Sequence, residues 1–230
     1  MTQKPTALVI GASRGLGLAL VEEWCARGWG VVATARNHSD ELTTLAGRFP
    51  GRLDMETVDI DDAGGVRALR QRLSGRKFDV IFVNAGIARA IESTPVEADE
   101  RDFLDMMRTN ALAPVRTVEL LGDLVVDDGV VAVMSSELGS IADSTNPHWQ
   151  LYSASKAALN MLMKGYATRH SGDTRALLLV APGWVRTEMG GSDALLSIEE
   201  SIPLVVDVVE ANRGKPGLRY VDRFNEPLPW

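Results

Sequence analysis

The chain has 230 residues and a single cysteine, and its 24 Lys and Arg against 31 Asp and Glu give a formal net charge of −7. With 45% hydrophobic residues it is too apolar for a disordered protein. The lone thiol of Cys25 excludes an internal disulfide scaffold, and the acidic balance provides no general field for gripping nucleic-acid phosphates.

Residues 7–10 read as a buried strand, followed by a helix over 14–27. The apolar run that begins at Thr6 is too short for a signal peptide, and no window approaches the ~20 apolar residues of a membrane span. A cytoplasmic location without a membrane partner is expected. Residues 31–35 form the second strand and 53–58 a weaker third, with a helix over 62–73. Strand 80–83 precedes a long helix over 99–121, and strand 130–134 precedes another over 152–170. Strand 175–181, a helix over 199–211 and a last strand at 218–221 complete the pattern. Apolar strands that alternate with helices imply a mostly parallel sheet covered on both faces. With right-handed crossovers this is a doubly wound α/β fold of about seven strands, and one domain over residues 1–230 is expected.

The first strand runs into Gly11-Ala-Ser13-Arg14-Gly15-Leu16-Gly17, which opens the first helix. Glycines there let the backbone turn sharply and approach a pyrophosphate, which then rests on the positive helix N-terminus. The spacing G-x-x-x-G-x-G differs from the common G-x-G-x-x-G, and its place between strand and helix gives it weight. The second strand ends in Ala35-Arg36-Asn37, without the acid that would bond both ribose hydroxyls of NAD. Arg36 and Arg14 suit a 2′-phosphate instead, because a guanidinium pairs with phosphate oxygens. NADP(H) is therefore expected in preference to NAD(H).

Tyr152 and Lys156 stand four apart on a helix, so hydroxyl and ammonium share a face. A free phenol titrates near ~10, too high for a base at neutral pH, and a neighbouring cation is expected to lower it. Y-x-x-x-K alone is an ordinary helix face; the surrounding motifs give it meaning.

Together these features resemble the short-chain dehydrogenase/reductase family, a Rossmann fold, over nearly the whole chain. Gly11, Gly15 and Gly17 match its cofactor loop, with Ser13 and Leu16 inside it. Asp59 matches the aspartate that contacts adenine, with Ile60 beside it. Asn84-Ala85-Gly86 matches the N-A-G after the fourth strand, and Pro182-Gly183 with Val185 and Thr187 matches the nicotinamide-side motif. Asn110, Ser136, Tyr152 and Lys156 match the catalytic set. By this resemblance Tyr152 is the general acid or base, Ser136 holds the substrate oxygen, Lys156 binds the ribose and depresses the tyrosine, and Asn110 positions a relay water. The serine segment, the residues after Tyr152 and the closing Pro227-Leu-Pro-Trp230 are most similar to C-factor and Sniffer-like carbonyl reductases. The loop between Ser136 and Tyr152 is longer than the family's commonest, which leaves Ser135 and Ser140 as alternatives to Ser136.

Pro114 lies four residues after Asn110, so the Asn110 carbonyl loses its helical partner, either to serve a relay water or as a plain kink. Trp149, Trp184 and Met189 are candidates for an apolar wall around a substrate, and the loop around Gly190-Gly191 for a movable one. The three histidines, His38, His148 and His170, show no metal-ligand spacing, and no metal is expected. The implied activity is NADPH-dependent reduction of a ketone, aldehyde or quinone to an alcohol. The alternative is a dinucleotide-binding signalling or sensor protein with little turnover. A homodimer through the two long helices is expected.

Overall fold

The computed structural model describes residues 4–230. Seven strands form one sheet in the order β3-β2-β1-β4-β5-β6-β7, every neighbouring pair parallel. The strands are β1 (Thr6–Ile10), β2 (Gly30–Ala35), β3 (Leu53–Thr57), β4 (Phe78–Val83), β5 (Val125–Met134), β6 (Ala176–Ala181) and β7 (Gly217–Asp222). The helices are α1 (Gly15–Ala26), α2 (Asp40–Arg48), α3 (Ala63–Arg72), α4 (Glu100–Met107), α5 (Ala113–Leu121), α6 (Gln150–Arg169) and α7 (Ile198–Ala211).

Side chains alternate across each strand, so each face of the sheet builds its own core. Ala7 and Val9 of β1 join Val80 and Phe82 of β4 against Leu20 and Trp24 of α1 and Val205 and Val209 of α7. Leu8 and Ile10 join Ile81 and Val83 on the opposite face against Leu69 of α3, Val118 of α5 and Leu159 and Met163 of α6. All these side chains are buried, and each buried Val, Leu, Ile, Phe or Met contributes roughly 1.5–3 kcal/mol. The strand order reverses between β1 and β4, so the loops after Ile10 and Val83 open a crevice at the carboxyl edge of the sheet.

Two elements differ from the sequence expectation. Helix α2 was not foreseen. Only Leu42 and Leu45 face the core, and its start is fixed by Ser39, whose Oγ accepts the Leu42 N–H at 3.2 Å. The long helix expected over 99–121 is split by a π-turn at Arg108–Leu112, where the Ala113 N–H donates to the Arg108 carbonyl five residues back. Pro114 cannot donate to Asn110, and the helix widens by one residue to pass it.

Candidate active site

A cavity of about 700 Å3 occupies the crevice. One end is the glycine loop. Gly11 has φ +86°, and a Cβ there would stand 2.7 Å from the Ala85 Cβ. A Cβ on Gly17 would stand 2.1 Å from the Gly11 carbonyl oxygen, so helix α1 packs against its own loop at a distance only glycine permits. Asn84 braces the loop by donating its Nδ2–H to the Gly11 carbonyl at 2.9 Å. Thr34, which the sequence reading passed over, accepts the Gly11 N–H on its Oγ1 at 3.1 Å. Helices α2, α3, α4 and α7 all start with a side-chain cap; α1 has none and carries no acid in its first turn. Its leading N–H groups are thus turned to the cavity without a protein acceptor, which fits an anion.

Arg36 borders the cavity at the end of β2 and has no carboxylate partner among the described residues. Arg14 borders it too, but its guanidinium is paired with Glu188 across the mouth, and both groups are largely exposed. A surface pair of this kind contributes about 0–1 kcal/mol and yields easily to a phosphate. Ser13, Gly15, Leu16, Asp59, Ile60, Asn84, Ala85 and Gly86 line the same wall. Asp61 lies beside them, with Oδ2 accepting the Thr109 hydroxyl at 2.8 Å and a buried Oδ1 that has no partner. Pro182, Gly183, Val185 and Thr187 line the facing wall, where the Thr187 methyl would be 3.9 Å from a Cβ on Gly15.

At the other end helix α6 delivers Tyr152 and Lys156 to the cavity one turn apart, with the Lys156 Nζ 5.7 Å from the centre of the Tyr152 ring. The ammonium is 3% exposed and donates to the Met134 carbonyl at 2.9 Å. Burial lowers its pKa from 10.5 to about 8. Tyr152 keeps part of its ring at the cavity surface, but its phenol is enclosed, and burial raises it from 10.0 to about 12. The Ser136 hydroxyl opposes that rise as a hydrogen-bond partner. The sequence expectation that Lys156 depresses the tyrosine is not met within the chain itself. Burial drives both groups toward their neutral forms.

The three serines after β5 have separate tasks. The Ser135 hydroxyl donates to the Asn160 Oδ1 at 2.7 Å, and the Ser140 hydroxyl accepts the Asp143 N–H at 3.1 Å; both residues are 2% exposed. Ser136 lines the cavity, and its Oγ accepts the Leu138 N–H at 3.2 Å. Its own proton is left to point toward the Tyr152 oxygen or a ligand beside it.

Gly17 and Asn110 stand behind the lining rather than in it. Asn110 is fully buried in the π-turn. Its Nδ2 donates to the Ile87 carbonyl (2.8 Å) and to the Ser155 Oγ (3.0 Å), and its Oδ1 accepts the Ile87 N–H (2.8 Å). Ser155 in turn donates to the Tyr152 carbonyl at 2.7 Å. The side-chain amide thus ties the π-turn to helix α6.

Trp149, Trp184 and Met189 all border the cavity. Trp149 takes a left-handed conformation (φ 62°) at the start of α6, packs edge-on to Tyr152 at 5.5 Å, and donates its N–H to the Ile91 carbonyl at 2.7 Å. Trp184 donates its indole N–H to the Gly190 carbonyl at 2.9 Å, and Arg186 donates to the carbonyls of Ala194 and Leu195. The loop expected to be mobile is tied to itself by these bonds. His148 sits outside the lining, paired with Glu92 at 2.9 Å. Among the described residues there is no cluster of three or more His, Cys, Asp or Glu able to hold a metal, and no helix long and apolar enough to cross a membrane.

A family profile described as short chain dehydrogenase matches residues 5–194. The C-signal protein of Myxococcus xanthus is 30% identical over 170 residues, 72% of this chain and 100% of that protein. A Burkholderia multivorans protein assigned to the short-chain dehydrogenases/reductases, solved with bound NADP, superposes with a TM-score of 0.97 at 50% identity, covering 99% of this chain and 100% of the other. A carbonyl reductase from Pseudomonas aeruginosa PAO1 in complex with NADP gives a TM-score of 0.92 at 40% identity, with 99% and 100% coverage.

Proposed function

The chain belongs to the short-chain dehydrogenase family, and on that premise we propose that it reduces a ketone, aldehyde or quinone carbonyl to an alcohol with NADPH, using Tyr152 as general acid and, in reverse, as general base. The observation that carries this reading is the meeting of Tyr152, Lys156 and Ser136 at one end of a cavity whose other end is an uncapped helix and an unpaired Arg36. The NADP-bound state of two similar structures supports the same cofactor.

The residues divide the work as follows. The first-turn N–H groups of α1 hold the pyrophosphate, Arg36 and Arg14 the 2′-phosphate, and Asp59 with Ile60 the adenine. Thr187, Val185 and the turn at Pro182-Gly183 hold the nicotinamide end. When bound, NADPH supplies the hydride. Ser136 donates a hydrogen bond to the substrate oxygen and fixes its position. Tyr152 gives its proton to that oxygen as the C–O bond becomes an alkoxide, a stronger base than the phenolate left behind. Lys156 holds the ribose hydroxyls and stabilises that phenolate. A water on the Asn110 carbonyl returns the proton through Lys156. Trp149, Trp184 and Met189 exclude bulk water and present an apolar wall.

The test follows NADPH absorbance with a panel of ketones, aldehydes and quinones. Turnover of at least one is expected. Firm NADPH binding with no turnover of any would favour a dinucleotide-binding sensor instead. Arg36→Ala is expected to weaken NADPH binding by about 10- to 100-fold, the loss of one charge-assisted contact, and to leave NADH binding unchanged. Titration calorimetry with both cofactors reads this, and an unaltered NADPH preference would remove Arg36 from the phosphate site.

We also propose that the whole chain acts as one domain and pairs with a second copy through α4, the π-turn and α6. Leu104, Leu112 and Met161 are more than half exposed there. Sedimentation is expected to give a dimer for the wild type and a monomer for Met161→Glu; a monomeric wild type would contradict the pairing.

A further inference from the structure

Strand β7 brings a buried tyrosine to the back of the serine segment. Tyr220 is 2% exposed, and its hydroxyl donates to the Ser136 carbonyl at 2.5 Å, with the Glu137 carbonyl 3.5 Å away. Its ring packs at a tilt of 47° against Trp230 with centroids 5.5 Å apart, and the Trp230 main-chain oxygen accepts the Ala142 N–H at 3.2 Å. Residues 136–142 are thus clamped from behind by one phenol and by the segment that closes over it. Asn160 of α6 holds the flank, accepting from Ser135 and donating its Nδ2–H to the Gly139 carbonyl at 3.2 Å.

The Ser136 carbonyl also accepts the Gly139 N–H at 2.9 Å, but that bond lies within its own turn, whereas the Tyr220 hydroxyl ties it to the sheet. The Ser136 backbone is extended (φ −162°, ψ 150°) just beyond the end of β5, and its Oγ accepts the Leu138 N–H. A phenylalanine would fill the place of the Tyr220 ring and keep the Trp230 contact. The hydroxyl adds a bond that holds the Ser136 carbonyl, with the Glu137 carbonyl at the edge of its reach. A buried hydroxyl costs stability unless it is bonded, so its presence in this apolar pocket marks the bond it makes.

We propose that Tyr220 is a positioning residue for the reduction: it sets the Ser136 backbone so that the Ser136 hydroxyl and the Tyr152 phenol point at the same substrate oxygen. The inference rests on the reading of Ser136 and Tyr152 as the groups that contact substrate. A misplacement of less than 1 Å at such a pair costs on the order of 10-fold in turnover or more.

The experiment compares wild type, Tyr220→Phe and Trp230→Ala. It measures kcat and KM with a carbonyl that the wild type reduces, NADPH affinity by titration, and amide hydrogen exchange of the NADP-bound proteins. For Tyr220→Phe, kcat is expected to fall about 10-fold. KM and NADPH affinity are expected to stay within about twofold, and exchange to quicken at residues 136–142 but not in the glycine loop. Trp230→Ala is expected to quicken exchange in the same segment. A merely structural tyrosine would lower the melting temperature with kcat intact, and that result overturns the proposal. Unchanged exchange at 136–142, or a loss of NADPH affinity as large as the loss of kcat, also overturns it. If the wild type reduces no carbonyl, the reductase reading fails by itself. Hydrogen exchange then decides the clamp alone: quickening at 136–142 upholds it, and none refutes it.

Discussion

Replacing Tyr152 with phenylalanine is expected to lower kcat for carbonyl reduction by about 10²- to 10⁴-fold, while NADPH affinity stays near that of the wild type. The ring, its edge-on packing with Trp149 and the helix that carries it all survive the change. Only the proton donor is lost. A phenol pushed up to about 12 stays protonated from pH 6 to 10, so it is ready to protonate an alkoxide. The same value makes it a poor base. Alcohol oxidation by the wild type is accordingly expected to rise with pH through the alkaline range, while reduction stays flat or falls. Initial rates in both directions from pH 6 to 10 check this. A Tyr152→Phe enzyme that retains more than a tenth of wild-type kcat, or an oxidation rate that falls with pH, would contradict the assignment.

Lys156→Met is expected to abolish turnover and yet make the cofactor-free protein more stable at pH 7. Burial lowers the ammonium from 10.5 to about 8, which corresponds to a cost of about 3 kcal/mol whenever the side chain is charged. Methionine fills similar space without that cost but gives up the charge-assisted bond to the Met134 carbonyl, worth about 1.5–3 kcal/mol. A net gain of about 0–2 kcal/mol follows. The sign with pH is fixed by linkage. The folded pKa is the lower one, so between about 8 and 10.5 the unfolded chain binds more protons, and wild-type stability rises through that window. The cost is therefore complete below pH 8 and gone above about 10.5, where the advantage of methionine disappears. Urea denaturation at pH 7 and pH 10 reads both ends. A methionine variant less stable at pH 7, or with an advantage that grows with pH, would show that the lysine is not held against its solvation. A charged lysine retained at such a cost fits a group kept for the reaction rather than for the fold.

Much of this site is legible in the sequence because its signals are local. The glycines of the first loop must turn a strand into a helix, and their spacing states it. Tyr152 and Lys156 share a helix face by their spacing alone. Pro114 announces a missing hydrogen bond at Asn110, though not that the helix would respond with a π-turn. Other features depend on tertiary placement. Helix α2 shows two buried leucines in an otherwise polar stretch, too faint a period to stand out. Ser135, Ser136 and Ser140 differ only in what each faces, and Asn160, 20 or more residues away, settles Ser135. The balance between burial and charge at Tyr152 turns on how deeply the cavity encloses it, which no motif records. Tyr220 reaches Ser136 from 84 residues along the chain, and residues 218–221 read only as a last strand.

The central claim is that the reduced nicotinamide gives its hydride to a substrate carbonyl in this cavity. A single turnover with NADPH deuterated at the transferring position tests it most directly. Mass spectrometry of the product is expected to find one deuterium on the carbinol carbon, with about 10²- to 10⁴-fold slower formation of the same labelled alcohol when Tyr152→Phe replaces the wild type. A product without deuterium, or NADPH consumed with no alcohol formed, would contradict it.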